Sequence, residues 1–404
     1  MRASGVICEL NPFHNGHAYL LSRMRESVGD DGCVVCLMSG RFVQRGTAAM
    51  ADPYLRADMA LAGGADLVIE LPFPWSAGSA EHFSAAGVRI LSRLGVESIA
   101  FGSESGDTAR LQAAAHAVDD PRFAAIYAAA CRRGVGTTVA YAEALRTVAG
   151  VKIGDDGFPS SNDLLGIGYL RALAGVERAH GYAPQALIVP RVGSRYRDTV
   201  LTAGAYPSAT ALRAVIAEAA CDPVALRAIL EDTMPDEAFE RLIEAIARED
   251  APTDETRLMT FYHTYYRLQK ADILSQFAEC GGGLAAHMVR VAQETATAEE
   301  FFTALRTKQY TDARLRRALL FGVVGVIAED LRVEPSYTTL LAANARGCAF
   351  LKSLRECGLV VTKPADAPDG RQKDFGGLAD ALFTLCFPTP RVAGDMRRRS
   401  PIIR

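Results

Sequence analysis

One stretch decides the fold of this chain, an apolar strand that runs through an Asn-Pro turn into a helix: Gly5-Val6-Ile7-Cys8-Glu9-Leu10-Asn11-Pro12-Phe13-His14-Asn15-Gly16-His17. Two histidines three residues apart on the first turn of a helix lie on one face. We expect Gly16, between them, to let a phosphate approach the backbone closely. The unpaired N–H groups and the positive dipole end of the helix also attract an anion. The stretch therefore predicts a phosphate site.

His14 and His17 are the candidate catalytic residues. Imidazoles and a helix N-terminus can stabilise the charge that develops on an α-phosphate during nucleotidyl transfer. A His-x-Gly-His alone also fits one histidine that caps a turn and another packed in the core. The strand, the proline and the helix around the pair favour the nucleotide site. The sequence therefore predicts ATP-dependent adenylate chemistry.

Composition is that of a globular protein of 404 residues, 49% hydrophobic and 23% charged, which is long enough for two or three domains. The start carries charges and a proline rather than an apolar leader, and the longest uncharged apolar run, Ala318 to Ala328, is too short to span a bilayer. Nine scattered cysteines give no disulfide framework. These features predict a cytoplasmic protein without a membrane partner. The net charge of −3 leaves room only for a local basic face.

No dedicated metal site is predicted. Cys33 and Cys36 have the spacing of a redox or zinc pair, but they begin an apolar run and no second Cys/His pair completes a tetrahedral site. We expect them to lie in a buried strand.

The first two hundred residues alternate β-branched runs with Ala-rich helical stretches, which is typical of a parallel sheet wrapped by helices. Turn residues follow each run, and we expect these loops to converge on one pocket at the carboxyl ends of the strands. After about residue 215 the sequence becomes helical until a short β-rich run at Leu359 to Thr362. We therefore predict an α/β domain over 1–215 and a mainly helical domain over 216–404. The predicted strands are Ser4 to Cys8, Val34 to Met38, Leu67 to Leu71, Ser98 to Phe101 and Leu187 to Val189.

Three further segments carry candidate ligand-binding residues. Arg41 and Arg45, in the loop after the second strand, could hold phosphate, although Ser and Gly there also suit a plain turn. Gly102 would let the backbone pass against an adenine or ribose, and a simple turn glycine is as good an interpretation. Ser208 can cap a helix from which Thr210 and Arg213 grip a triphosphate; an ordinary capped helix with a surface arginine is the alternative.

A basic segment lies in the second half. Phe301 to Leu320 is interpreted as one amphipathic helix with Lys308, Arg314, Arg316 and Arg317 set against leucines. Such a face is usually just solvated, but it can also track nucleic-acid phosphates. These four residues are the candidate nucleic-acid contacts.

Together, Gly5 to His17, Met38 to Gly46, Gly64 to Pro72, Phe101 to Glu104 and Asn162 to Gly166 resemble the bacterial tRNA(Met) cytidine acetate ligase family, a member of the His-x-Gly-His nucleotidyltransferases. The resemblance implies a Rossmann-like α/β nucleotidyltransferase sheet with a helical C-terminal domain that holds tRNA. It implies that acetate is activated by ATP as acetyl-adenylate and passed to the N4 amine of the wobble cytidine of elongator tRNA(Met). Mg²⁺ would enter on the triphosphate.

The resemblance also implies the nucleotide site. Its members here would be Ile7, Cys8, Glu9, Leu10, Asn11, Pro12, Phe13, His14, Asn15, Gly16, His17, Ala18, Tyr19, Leu20, Gly102, Asn162, Arg191, Ser208, Thr210 and Arg213.

The chain departs from the family pattern at a few positions. Leu10 replaces a usual tyrosine, Pro53 stands where a lysine is expected, Ser161-Asn162-Asp163 replaces Pro-Asn-Asn, and Arg197 replaces a histidine. Two other functions fit the same residues: an adenylyltransferase for a small phosphorylated substrate, which would not need the basic segment, and an RNA-binding protein with a decayed active site, against which the intact histidines count.

Overall fold

The computed structural model describes residues 1–150, 159–191, 206, 208–219, 222–354, 358–389 and 391–404. Its strands are β1 (Ala3–Cys8), β2 (Cys33–Ser39), β3 (Leu67–Leu71), β4 (Ser98–Ser103), β5 (Gln185–Pro190), β6 (Thr338–Ala343), β7 (Val360–Val361) and β8 (Ile402–Ile403). The five strands predicted for the first two hundred residues are thus confirmed, with ends that differ by at most two residues.

Helices surround this sheet. The first part of the chain contributes α1 (Asn15–Val28), α2 (Pro53–Ala62), α3 (Ala80–Arg93), α4 (Thr108–Asp119), α5 (Pro121–Arg132), α6 (Thr137–Ala149) and α7 (Ser161–His180). The second part contributes α8 (Ala209–Glu218), α9 (Pro223–Leu230), α10 (Asp236–Ala247), α11 (Thr256–Arg267), α12 (Ala271–Leu274), α13 (Leu284–Glu294), α14 (Ala298–Leu305), α15 (Asp312–Val324), α16 (Ala328–Arg332), α17 (Ala345–Ser353) and α18 (Arg371–Thr384). None of the described helices combines the length and apolarity that crossing a membrane requires.

The strands form one mostly parallel sheet in the order β5-β4-β1-β2-β3-β6-β7, with β8 on β6. β1 pairs in parallel with both β2 and β4, and β4 pairs in parallel with β5. β6 pairs antiparallel with β3, so that Leu67 lies opposite Ala343. The predicted α/β parallel sheet is confirmed, with one antiparallel neighbour.

Both faces of the sheet are covered at its centre, which explains why β2 and β6 are buried throughout. In β2, Val34, Cys36 and Met38 join one core with α1, α2 and α10, whereas Cys33, Val35 and Leu37 join the core on the other face. All seven residues of β2 are buried. The two cysteines therefore lie in a buried strand, as predicted, and burial raises the pKa of the Cys33 thiol. The described cysteines are free thiols.

Two expectations for the second half are corrected. The strand β6 was not predicted, and it joins the sheet of the first part of the chain together with β7 and β8. The continuous helix predicted from Phe301 to Leu320 is wrong: α14 ends at Leu305 and α15 begins at Asp312. The break follows from Thr311, whose side chain caps α15 by accepting a hydrogen bond from the Arg314 N–H. The proposed boundary at residue 215 stays a prediction.

Candidate active site

A cavity lies at the carboxyl ends of β1, β4 and β5, where a doubly wound sheet binds its ligands. The segments that follow these three strands line it, together with the starts of α1, α7 and α8. The prediction that all the strand-end loops share one pocket is wrong, because Arg41 after β2 and Phe73 after β3 line a second cavity instead. Only Gln44, from the loop after β2, reaches the first cavity among the described residues of that loop.

His14 and His17 both line the first cavity and face each other, with ring centroids 3.8 Å apart and an interplanar angle of 32°. His14 is the N-cap of α1, and its Nδ1 accepts a hydrogen bond from the Gly16 N–H at 3.0 Å. A Cβ on residue 16 would lie 2.9 Å from the His14 ring. Gly16 therefore makes room for the imidazole. It also lines the cavity, so the close approach of a phosphate to its backbone stays a prediction.

Both histidines are neutral. Burial lowers the pKa of His17 to about 3, with Arg191 adding to the effect. Burial also lowers the pKa of His14, and the neighbouring His17, Arg191 and Arg213 act in the same direction. Since Nδ1 of His14 is an acceptor, the proton of its neutral ring is on Nε2. The His17 Nδ1 is buried and has no hydrogen-bond partner within the described residues, so it is available to a ligand.

Two arginines supply the positive charge of the cavity. Arg191 follows β5, and Arg213 extends from α8. Arg213 donates to the Asn11 carbonyl oxygen at 2.5 Å and to Thr210 Oγ1 at 3.3 Å, which holds its guanidinium beside the loop after β1. Ser208 caps α8 by accepting from the Ala211 N–H at 3.0 Å. Ser208 and Thr210 thus orient the helix and its arginine and do not themselves line the cavity.

Gly102 and Asn162 also line the cavity. A Cβ on residue 102 would lie 3.3 Å from Arg191 Cγ, so the glycine gives space to that arginine. Asn162, in the first turn of α7, donates through Nδ2 to Glu104 Oε1 at 2.6 Å. Because a carboxylate only accepts, this bond fixes the orientation of the amide and leaves the Asn162 Oδ1 as an acceptor for a ligand. The acidic side chain that orients Asn162 was not predicted.

The rest of the Ile7 to Leu20 segment divides by its position on the turn and helix. Ile7, Cys8, Glu9, Leu10, Asn11, Tyr19 and Leu20 line the cavity with the residues already named. Pro12, Phe13, Asn15 and Ala18 do not. Phe13 is fully buried against α2, with its ring against Gly63, and Asn15 Nδ2 donates to the Asp232 carbonyl oxygen at 2.9 Å. These side chains fix the turn rather than contact a ligand.

Sequence reasoning missed the residue that supports the strand ends. Arg56, on α2, is completely buried. Its guanidinium donates to the Glu9 carbonyl oxygen at 2.6 Å, to the Ala51 and Ser39 carbonyl oxygens at 3.0 Å, and to the Gly40 carbonyl oxygen. Burial lowers its pKa to about 10, which keeps it charged at neutral pH. No motif marks it, because all of its acceptors are backbone groups.

The aromatic wall was missed as well. The Tyr19 and Tyr206 rings have their centroids 5.8 Å apart, and Phe83, Phe101 and Tyr169 close the apolar side of the cavity. Apolar walls with a few placed polar groups are typical of nucleotide and small-molecule sites.

Arg41 is a correction to the predicted phosphate ligands. It is 5% exposed and lies in ion pairs with Glu70 Oε1 at 2.7 Å and Asp380 Oδ1 at 2.6 Å. The two carboxylates offset its charge, and it does not line the first cavity. Arg45 does not line it either.

The predicted basic face is largely paired with acids. Arg316 pairs with Glu255 at 2.5 Å, and Arg317 and Arg314 pair with Glu279 at 2.9 and 3.6 Å. Arg317 is only 8% exposed. Lys308 lies in the exposed segment between α14 and α15 and not on a helix. Contact of these residues with nucleic acid stays a prediction.

Of the departures from the family pattern, Pro53 begins α2 after its Asp52 cap and does not line the cavity. Asp163 forms a capping box with Ser160 and accepts from Ser103 Oγ at 2.6 Å, which ties α7 to the end of β4. Arg197 lies outside the described residues. Within those residues, no group of three or more His, Cys, Asp or Glu side chains is placed to hold a metal ion.

The strand, the turn and the paired histidines at the start of α1 define a nucleotidyltransferase site, and a model of the HIGH nucleotidyl transferase family matches residues 1–390. The chain is 33% identical to the tRNA(Met) cytidine acetate ligase of Syntrophotalea carbinolica over 362 residues, 88% of this chain and 83% of that protein. It is 31% identical to the ligase of Acetivibrio thermocellus over the full length of both proteins. The chain belongs to the tRNA(Met) cytidine acetate ligase family.

Two solved structures of a relative have a similar fold. The apo form of Thermotoga maritima TmcAL matches with a TM-score of 0.88 at 27% identity over 100% of this chain and 99% of that one. The form bound with alpha-thio ATP matches with a TM-score of 0.85 over the full length of both chains, again at 27% identity.

Proposed function

We propose that this protein is an ATP-dependent ligase that activates acetate as acetyl-adenylate and acetylates the N4 amine of the wobble cytidine of elongator tRNA(Met). The observation that carries the proposal is the facing pair of neutral histidines at the start of α1, in the cavity that Arg191 and Arg213 also line. Membership of the ligase family supplies the substrates. The relative with bound alpha-thio ATP supports ATP as the nucleotide.

In the first step, an acetate oxygen attacks the α-phosphorus of ATP, and pyrophosphate leaves. A neutral imidazole donates from Nε2 without carrying charge of its own, so His14 can stabilise the phosphate oxygens as negative charge develops on them. Arg191 and Arg213 balance the triphosphate charge. We expect the aromatic wall to hold the adenine and Asn162 Oδ1 to accept from a ligand N–H or hydroxyl.

In the second step, the cytidine N4 attacks the acetyl carbonyl carbon of the adenylate, AMP leaves, and the amine loses one proton. We expect Mg²⁺ to enter with ATP, where it neutralises phosphate charge. The phosphate oxygens would hold it, because Glu9 is the one carboxylate among the described residues that line the cavity and its Oε1 already accepts from the Gln44 N–H.

The RNA substrate rests on the family and not on the predicted basic face, because three of its four cations are in ion pairs. A tRNA substrate also implies work in the cytoplasm.

The test is to incubate the protein with ATP, labelled acetate and tRNA. The proposal predicts pyrophosphate release with acetate alone and label in RNA when tRNA is added. Acetyl-coenzyme A should not replace acetate and ATP. Acetylation that required acetyl-coenzyme A and released no pyrophosphate would exclude the ligase. Adenylation of a small phosphorylated compound, with no label in RNA, would favour the adenylyltransferase.

A further inference from the structure

A second cavity lies on the same edge of the sheet as the active site, beyond the ends of β2 and β3. Its lining includes Arg41 after β2, Glu70 in β3, Phe73, Tyr337, and Asp380 on α18. Arg41, in this cavity, and Gln44, in the active site, are three residues apart, so their Cα atoms lie within about 11 Å. A single ligand strand that passes this edge can therefore reach both cavities.

The Arg41 guanidinium has an unused donor. Its Nη1 donates to Glu70 Oε1 at 2.7 Å, and its Nε lies 2.6 Å from Asp380 Oδ1 without hydrogen-bonding geometry. Its Nη2 is buried and has no hydrogen-bond partner among the described residues. Buried polar groups nearly always have a hydrogen-bond partner in native proteins, and a buried group without one lowers the stability of the fold. Because Arg41 lines this cavity, a ligand bound there is the natural source of the missing acceptor.

The two carboxylates beside Arg41 disfavour the binding of a simple anion on the floor of this cavity. Glu70 and Asp380 already offset Arg41, and both are buried. A ligand that fits must place an acceptor at Arg41 and N–H donors at the carboxylates. It must also present a flat apolar surface to Phe73 and Tyr337.

Two further cations lie at the same cavity. Lys373 and Arg397 line it; Lys373 pairs at 3.0 Å with Asp369, whose side chain is 98% exposed, so that pair is weak and open to a phosphate. A Cβ on residue 377 would lie 1.3 Å from Arg397 Nη2, so Gly377 is what allows this arginine to rest against α18. The cavity thus combines aromatic walls, a floor with one donor and two acceptor carboxylates, and two cations beside it. Such an arrangement can recognise an unstacked nucleotide.

We propose that this second cavity binds one unstacked nucleotide whose base carries an exocyclic amino group and a ring nitrogen or carbonyl acceptor, which cytosine, adenine and guanine have and uracil lacks, with its phosphate at Lys373 and Arg397. The base amino group donates to Glu70 or Asp380, and a ring nitrogen or carbonyl oxygen accepts from Arg41 Nη2. The source is a nucleotide of the RNA next to the one that is acetylated, and this assignment rests on the proposed function.

Gly376 allows the cavity to be blocked without disturbing Arg41. It lies in α18 and lines the cavity, and a Cβ there would meet no atom within 4 Å. Leucine is also a better helix former than glycine, so Gly376→Leu should fold. Gly175→Leu is the matched control, because Gly175 is a helical glycine in α7 with similar space and lines neither cavity.

The experiment has two arms. In the first, CMP, GMP, UMP and AMP are titrated calorimetrically into the protein with its active site filled by a non-hydrolysable ATP analogue. CMP, AMP or GMP should bind more tightly than UMP, and Gly376→Leu should weaken that binding by roughly tenfold or more. In the second, Gly376→Leu should raise the KM for tRNA(Met) by roughly tenfold, while acetate-dependent exchange of pyrophosphate into ATP without RNA stays within about twofold of wild type.

The outcomes separate the alternatives. Loss of both nucleotide and tRNA binding in Gly376→Leu, but not in Gly175→Leu, supports the proposal. Loss of nucleotide binding with an unchanged KM for tRNA assigns the cavity to a free nucleotide and overturns the RNA source. No binding of CMP, AMP or GMP together with an unchanged KM overturns the proposal. A wild-type protein without acetate-dependent exchange would defeat the proposed function instead, and the titration would still decide the cavity.

Discussion

The imidazole rings of His14 and His17 lie 3.8 Å apart, centroid to centroid, and both line the active-site cavity. Two protonated rings at this distance and burial would repel each other strongly. The pair therefore acts as two neutral polar groups, which can bind a phosphate oxygen without the loss of a proton. The positive charge of the site is carried by Arg191 and Arg213.

Replacing either histidine should impair adenylation without unfolding the protein. Asparagine is a good N-cap, so His14→Asn keeps the start of α1 while it removes the imidazole. We expect His14→Asn and His17→Asn each to lower acetate-dependent pyrophosphate exchange by about 10²–10³, as for a donor that acts in the transition state. His180→Asn, at the exposed end of α7, is the control. Full activity in the double variant would remove the pair from the mechanism.

The buried histidines should make the protein sensitive to acid. The pKa of His17 is about 3 in the folded protein and near 6.5 in the unfolded chain. The unfolded state therefore binds more protons between these values, and the free energy of unfolding falls as the pH drops from 6.5 towards 3. His17 contributes up to about 1.4 kcal/mol per pH unit. Chemical denaturation at pH 7, 6 and 5 should show a shallower dependence for His17→Gln, and parallel curves would contradict the assignment.

The local motif could be predicted from the sequence, and the long-range supports could not. The strand, turn and histidines are contiguous, so Gly5 to His17 predicted β1, the start of α1 and the two histidines that line the cavity. Arg41 was misassigned because its partner Asp380 lies near the other end of the chain. The strand β6 was missed because Thr338–Ala343 carries no polar alternation and stands among helices, and its place beside β3 is decided by tertiary packing.

Arg56 should be essential for stability. It is fully buried, and its loss would leave the carbonyl groups of Glu9, Ser39, Gly40 and Ala51 without their donor. We expect Arg56→Met to lower the free energy of unfolding by about 3 kcal/mol or more, since each buried group left unsatisfied costs about 1–3 kcal/mol. Arg23→Met, which removes an exposed pair with Glu26, should cost about 0.5 kcal/mol or less. Equal melting temperatures for the two variants would show that the hydrogen bonds of the Arg56 guanidinium do not stabilise the fold.

Glu104 should act through Asn162. A glutamine at 104 can present an N–H₂ group and so no longer forces the Asn162 Nδ2 towards it. We expect Glu104→Gln to raise the KM for ATP by roughly tenfold, about 1.4 kcal/mol, with a smaller change in kcat. In the Asn162→Ala background the same change should have little further effect. Additive losses in that double-mutant cycle would show that Glu104 acts elsewhere.

Lys308 should be the member of the basic segment that contacts tRNA, because it is exposed, whereas Arg316 and Arg317 are held by Glu255 and Glu279. Each lost phosphate contact lowers the slope of log affinity against log salt by about 0.7–0.9. We expect this reduction for Lys308→Gln and none for Lys352→Gln, an exposed lysine on α17.

Arg317→Gln should instead lower the melting temperature, because it leaves Glu279 with a weaker partner in a largely buried position.

The prediction for Lys308 is tested by measuring the affinity for tRNA from about 50 to 200 mM salt. Acetate-dependent pyrophosphate exchange without tRNA should be unchanged in Lys308→Gln, since Lys308 does not line the active-site cavity. Identical salt slopes for Lys308→Gln, Lys352→Gln and wild type would mean that the segment is only solvated, and tRNA would have to bind elsewhere, with the edge that joins the two cavities as the next surface to test.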